Sequence, residues 1–188
     1  MNTKEKIIQA TIELAAKKGL SKTSMNDIAE KVGIKKASLY YYYKSKDEMI
    51  EDMYHSIRQK NVEYFTIDTS IPFKKFLHDS FTAYLKLCTS SEMKKVFVII
   101  ESEKYVNPSA AELYLEETTY MLNLTKRVIS KYVEEEKIEV EDIDFASTSY
   151  AFYAHELIII MMLENKVNEE EINMFIDKFI KTFIKEVK

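Results

Sequence analysis

Residues 24–46 read Ser24-Met25-Asn26-Asp27-Ile28-Ala29-Glu30-Lys31-Val32-Gly33-Ile34-Lys35-Lys36-Ala37-Ser38-Leu39-Tyr40-Tyr41-Tyr42-Tyr43-Lys44-Ser45-Lys46. Ser24 and Asp27 have the spacing of a capping box, and Met25, Ile28, Ala29 and Val32 follow at i, i+3, i+4 and i+7, so a helix starts at Ser24 with one apolar face. Gly33 can take the positive φ that ends it, and Ile34 can plug the turn into a core. A further helix then runs from about Lys35 to Tyr42. A helix offered to a nucleic-acid groove needs a tight turn to set its angle, an apolar anchor and exposed polar or cationic groups. This stretch has all three.

The same helical grammar extends in both directions. Asn2 or Thr3 can cap a first helix to about Lys18, with Ile7, Ile8, Ile12, Leu14 and Ala15 inward and Gly19 past its end. Ser45 and Glu48 form another capping box, opening a fourth helix with Met49, Ile50, Met53 and Ile57 as its inner stripe. A break over 66–72 precedes helices from Phe73 to about Leu87 and from Lys94 to Tyr105. Asn107-Pro108 opens a long helix towards Glu136. After the acidic stretch from Glu139 to Asp144, one helix runs to about Asn165 and a last one starts at the Asn168 cap. With two glycines and two prolines in 188 residues, there are few hairpin turns, and an all-α chain of about nine helices is expected. Residues 1–46 form the expected helix-turn-helix head, and 47–188 the helical body.

Charge divides along the same line. Residues 1–46 carry ten lysines against Glu5, Glu13, Asp27 and Glu30, a net +6, which leaves −10 for the rest of a chain whose total is −4. A cationic head can hold phosphate while an anionic body is repelled from the duplex. The single cysteine, Cys88, reads as a small core residue and argues against a disulfide scaffold. The N-terminus enters a helical pattern too early for a signal peptide, and the longest apolar run, Leu157 to Leu163, falls far below the ~20 residues needed to cross a bilayer. A soluble, cytoplasmic protein with no membrane partner is expected.

Catalysis is disfavoured by the inventory. His155-Glu156 lacks the second histidine of a zincin helix, because position 159 is Ile, and no histidine has Glu three residues before it as a di-iron bundle needs. No glycine-rich phosphate loop is present. Neither an enzyme, a metal site nor a cofactor is expected.

Over about residues 7–50 the chain resembles the TetR-type one-component transcriptional regulators. The resemblance is carried by an Ile-rich first helix with Ala15, Ala16 and Gly19, then Thr23-Ser24-Met25-Asn26-Asp27-Ile28-Ala29, Val32-Gly33-Ile34, Leu39-Tyr40 and Lys44-Ser45-Lys46-Asp47. It implies that the 35–42 helix enters the major groove, with Lys36, Ala37 and Ser38 near base edges or neighbouring phosphates. Thr23 or Ser24, Tyr40, Tyr41 and Lys46 match positions that hold the DNA backbone. Hydroxyl and ammonium groups are suitable phosphate partners, and Lys can donate to guanine O6 or N7. Tyr40 and Tyr43 can equally pack the head, and Tyr43 is read as core. Lys35 stands where the family often has a small hydroxyl residue, and Tyr42 where His is frequent; both departures bear on operator preference.

The resemblance also implies a homodimer whose final two helices pair as a four-helix bundle, placing Phe152, Ile159, Ile160, Leu163, Ile172, Phe175, Ile176, Phe179, Ile180 and Phe183 at the interface. The apolar stripe of the last helix alone fits the interior of a monomer as well. Phe97, Glu101, Tyr105, Tyr120, Met121, Phe152, His155 and Glu156 are candidates for a small-molecule effector, cationic or hydrophobic, although each also reads as ordinary core, surface or internal ion pair. The expected function is that of a DNA-binding regulator, by family default a repressor, released from a pseudo-palindromic operator by that effector. The alternative is an effector-independent adaptor or architectural protein that docks other proteins on its helical body.

Overall fold

The computed structural model describes residues 2–60 and 67–186. The described residues form nine helices and one small two-stranded ribbon: α1 Thr3–Lys18, α2 Met25–Val32, α3 Lys36–Tyr42, α4 Lys46–Lys60, α5 Phe73–Thr89, α6 Met93–Glu103, α7 Pro108–Glu134, β1 Ile138–Val140, α8 Ile143–Glu164, α9 Glu169–Phe183 and β2 Ile184–Glu186. They divide into two compact units. The first comprises 1–63 and 91–116, the second 64–90 and 117–188, so α7 contributes residues to both. The unit that holds the head therefore extends beyond residue 46.

In the first unit, caps start the helices where local chemistry demands. Asn2 and Glu5 form a reciprocal capping box on α1, and Ser24 and Asp27 another on α2, each supplying acceptors to amides that have no intrahelical partner. Asn107 caps α7 through its side-chain oxygen, which accepts from the Ser109 and Ala110 amides at 3.0 and 3.2 Å. At α4 the box is displaced by one residue: Ser45 Oγ accepts from the Glu48 amide, but the Glu48 carboxylate accepts from the Lys44 amide instead of Ser45. Helix α1 packs on α2, α4 and α6 around Ile7, Ile28, Leu39, Met49, Met53 and Ile99.

Gly33 ends α2 with φ +77°, and the Ile34 amide reaches back to the Ala29 carbonyl at 3.0 Å. This left-handed closure turns the chain sharply enough for α3 to start at Lys36.

In the second unit, Phe73, Phe76, Leu77, Phe81 and Leu85 of α5 supply one buried face, and Ile172, Phe175, Ile176 and Phe179 of α9 another. Helix α5 packs on both α8 and α9. Phe175 is central: its ring lies 4.6 Å from Tyr153 in a stacked arrangement, 5.1 Å from Tyr150 and 6.1 Å from Phe81. Cys88 is buried here, and burial pushes its thiol up to about 11, which keeps it protonated and unreactive at neutral pH.

The ribbon departs from the all-helical expectation. The last helix stops at Phe183, and Ile184–Glu186 pairs antiparallel with Ile138–Val140, Ile138 facing Glu186 and Val140 facing Ile184. Ile138 and Ile184 are both buried, so the β-branched residues at opposite ends of the ribbon favour a pleated pairing over another helical turn.

A Cβ added at Gly33 would meet no atom within 4 Å, so the cost of Gly33→Ala is purely conformational. Forcing an L side chain into this left-handed position should destabilise the protein by about 1–2 kcal/mol, read as a lowered urea midpoint. An unchanged midpoint would mean that the turn is not needed in its observed form.

Candidate nucleic-acid interface

Helix α3 has seven residues, too few to stand alone, so its orientation is imposed by what it buries. Leu39 is fully buried, and Tyr43, at the C-cap, is 2% exposed. The Tyr43 hydroxyl donates to Asp52 Oδ2 on α4 at 2.6 Å, while Lys4 Nζ of α1 sits 5.4 Å from the Tyr43 ring and 3.0 Å from Asp52. Burial and the bond to Asp52 push the Tyr43 hydroxyl well above its ordinary value, so it remains a donor. Burial draws the Asp52 carboxyl up, but the Tyr43 hydroxyl and the Lys4 ammonium outweigh it and hold Asp52 below its usual range.

With that face pinned, Lys35, Lys36, Ala37 and Ser38 are all exposed. No side chain caps α3 at Lys35, as expected from the loss of a hydroxyl there. The three tyrosines separate by exposure, Tyr40 at 44%, Tyr41 at 87% and Tyr42 at 37%, which leaves their rings and hydroxyls available to a ligand. Tyr41 and Tyr42 meet edge to face at 5.6 Å, and Lys36 Nζ lies 6.0 Å from the Tyr40 ring. Among the described residues no carboxylate lies within ion-pair distance of Lys35 or Lys36, whereas Lys18 is bound to Asp27 at 2.8 Å and Lys31 to Glu13 at 2.7 Å. Lys35 and Lys36 at the start of α3 thus face outward without a carboxylate beside them. Lys22 and Lys44, not singled out from the sequence, are also exposed on the turns before α2 and after α3. Only their position beside a cap and a helix end could have marked them.

Two expected backbone contacts are placed differently. Thr23 is buried, and its hydroxyl donates to the Gly19 carbonyl at 2.9 Å, closing the end of α1 instead of facing solvent. Lys46 is half-buried, and its Nζ donates to the Leu20 carbonyl at 2.6 Å and the Ser21 carbonyl at 3.4 Å. Two of its three donors hold the turn between α1 and α2, so a phosphate would meet only the third. Ser24 is exposed, but its hydroxyl donates to Asp27 Oδ2 at 2.6 Å and accepts from the Asp27 amide.

Residues 7–53 match the sequence profile of the bacterial regulatory proteins, tetR family. The head is similar to those of the TetR family.

Relatives and solved structures are similar over more of the chain. The biofilm operon icaADBC HTH-type negative transcriptional regulator IcaR of Staphylococcus epidermidis is 36% identical over 93 residues, which cover 45% of this chain and 50% of that relative. The match thus spans about half the length of that protein. IcaR of Staphylococcus aureus is 28% identical over 159 residues, 79% of each chain. MexZ of Pseudomonas aeruginosa shares the fold with a TM-score of 0.73 at 17% identity, over 96% of this chain and 94% of that one. A TetR transcription regulator from Haloarcula marismortui does so with a TM-score of 0.72 at 16% identity, over 97% and 98%. These relatives are transcriptional regulators, not enzymes.

The residues expected at a dimer interface fall into three groups. Ile172, Phe175, Ile176 and Phe179 are buried against α5 and α8 of their own unit, so they are not on the surface a partner would meet. Ile159, Ile180 and Phe183 are half-buried, while Phe152, Ile160 and Leu163 of α8 are exposed. The apolar period of α9 was real, but it faces inward.

The expected effector residues are divided between the two units. Phe97, Glu101 and Tyr105 belong to the first unit, with Glu101 2.9 Å from Lys104 and Tyr105 almost wholly exposed. Tyr120, Met121, Phe152, His155 and Glu156 belong to the second. None of the eight candidates lines the cleft of about 400 Å³ in the first unit or the cleft of about 690 Å³ along the second-unit part of α7. Nor does any described helix have the length and apolarity to cross a membrane.

Asp27 offers a test of how the turn is held. Its carboxylate takes hydrogen bonds from Lys18 and from the Ser24 hydroxyl and amide, which hold it well below the usual carboxylate range. A depressed folded-state value means stability present above the unfolded pKa of about 3.9 and lost as pH falls towards the folded one. Asp27→Asn should therefore lower the urea midpoint at neutral pH, with the gap to the parent narrowing on acidification below about pH 4. A gap that stays constant with pH would contradict this role.

Proposed function

We propose that this chain is a TetR-family regulator that binds double-stranded operator DNA through α3 and represses transcription, acting as a homodimer in the cytoplasm. The observation that carries the reading is the outward row Lys36, Ala37 and Ser38, held there by Leu39 and Tyr43. Lys36 can donate to guanine O6 or N7, Ser38 can donate or accept at a base edge, and Ala37 can pack on a thymine methyl. Lys35, Ser24 and the hydroxyls of Tyr40, Tyr41 and Tyr42 serve the phosphates, with a lesser part for Lys46. Thr23 contributes by shaping the turn. That both IcaR relatives are named negative regulators supports repression as the sign of control.

DNA selected in vitro from random sequence, followed by a salt titration, tests the reading. Each phosphate-bound cation adds about 0.9 to the slope of log affinity against log salt. Lys36→Ala should alter the selected bases and flatten the slope by no more than about one contact. Unchanged preference and unchanged slope would remove α3 from the interface.

The homodimer is supported by α8. Apolar residues occupy all sides of this helix, an arrangement usual for a helix buried all round, yet Phe145, Phe152, Ile160 and Leu163 are exposed along one side of it. A second copy covering that side gives a two-fold assembly, and two recognition helices about 34–36 Å apart require a pseudo-palindromic operator. Because Leu163 is 81% exposed in the single chain, Leu163→Glu should leave the fold intact while shifting sedimentation from dimer to monomer. A dimer that persists would place the interface elsewhere.

Release is assigned to a small apolar or amphipathic effector bound in the helical body, acting only through different affinities for the DNA-bound and free states. That none of the expected effector residues lines either cleft favours a second reading, an effector-independent regulator that docks a protein on its body. A compound that weakens operator binding separates the two.

A further inference from the structure

Local helix chemistry does not favour Asp52 on α4. Glu48 lies in the first turn, where the helix end favours a carboxylate, and Asp52 comes one turn later, beyond that help and four residues after a like charge. What Asp52 receives accounts for it. The Tyr43 hydroxyl at the end of α3 donates to its Oδ2 at 2.6 Å, and Lys4 Nζ of α1 reaches the same oxygen at 3.0 Å. One turn before it, the Glu48 carboxylate accepts from the Lys44 amide at 2.7 Å. The C-terminal end of α3 is therefore joined to two successive turns of α4, whereas no side chain caps its start at Lys35.

Burial and hydrogen bonding restrain α3 in different ways. Burial of Leu39 and of the Tyr43 ring decides which face turns inward, but it is non-directional and tolerates a small tilt or slide. A charge-assisted hydrogen bond does not, since it weakens steeply away from its preferred length and angle. The two kinds of DNA contact differ in the same sense. Attraction to phosphates is long-ranged and carries no sequence information, while reading a base edge demands hydrogen-bond geometry.

We infer that Asp52 is a positioning residue for base reading: through the Tyr43 hydroxyl it fixes the tilt of α3, and with it the reach of Lys36 and Ser38 towards base edges. The inference rests on the reading that α3 meets DNA. A carboxylate is no partner for phosphate, so Asp52 acts on discrimination between sequences and not on the number of phosphate contacts.

The test is the ratio of affinities of the full chain for a selected operator duplex and for a scrambled duplex of the same length, measured by fluorescence anisotropy. Tyr43→Phe keeps the ring and the net charge but removes the donor. It should lower the ratio about tenfold, the equivalent of about one mismatched base pair, with the salt slope unchanged. Asp52→Ala should do the same, and the double variant should be no worse than either, because both substitutions remove one bond. Asp52→Asn loses the same charge as Asp52→Ala but keeps an oxygen that can accept from Tyr43, so it should retain most of the ratio. Lost stability alone lowers the active fraction equally for both duplexes and leaves the ratio where it was. A parental ratio in Tyr43→Phe or Asp52→Ala, or an equal loss in Asp52→Asn and Asp52→Ala, overturns the proposal while Lys36→Ala still shifts base preference. If Lys36→Ala has no effect either, the reading of α3 as the DNA-binding helix falls with it.

Discussion

The burial of Leu39 and Tyr43 is the constraint on which the functional surface depends. A seven-residue helix has no stable orientation of its own, and successive residues turn by about 100° around its axis. Turning α3 by one position would draw Leu39 out of a core that includes Ile7, Ile28 and Met49, at a cost of a few kcal/mol for a full-sized side chain. The Tyr43 hydroxyl would also leave Asp52. Neither loss is offset by anything on the solvent side. Lys36, Ala37 and Ser38 thus face outward because their neighbours cannot.

The supports of that helix are polar and local. Gly33 supplies the left-handed closure, and the Ser24–Asp27 box fixes where α2 begins. Lys46 reaches from the start of α4 to the carbonyls of Leu20 and Ser21, so the turn before α2 and the helix after α3 are tied together by one ammonium. Thr23 closes the end of α1 in the same neighbourhood. Residues that resemble phosphate ligands in a sequence can be used up in holding the shape that presents other ligands.

Legibility in the sequence followed the range of each interaction. The box at Ser24 and the caps at Asn2, Asn107 and Asn168 join residues two or three apart, so spacing alone reveals them. Tyr43 separated from its three neighbours because it lies one turn beyond Leu39 on the buried side of α3. Thr23 and Lys46 did not separate, since a hydroxyl or an ammonium donates equally well to a carbonyl and to a phosphate. The α9 stripe was legible as a stripe, but periodicity does not say whether the apolar side meets its own chain or another copy. The ribbon of Ile138–Val140 and Ile184–Glu186 was missed because three-residue strands from distant segments are too short for an alternating pattern.

The central claim is that the outward row of α3, and not the body, meets DNA. Backbone amide NMR of the full chain, titrated with an operator duplex selected for binding, tests it most directly. The account predicts that the largest shifts fall on Lys36, Ala37 and Ser38, with smaller ones at Ser24 and Tyr40 to Tyr42, while Leu163 and its neighbours on α8 stay in place. Shifts concentrated on α8 or α9, with α3 undisturbed, would contradict it.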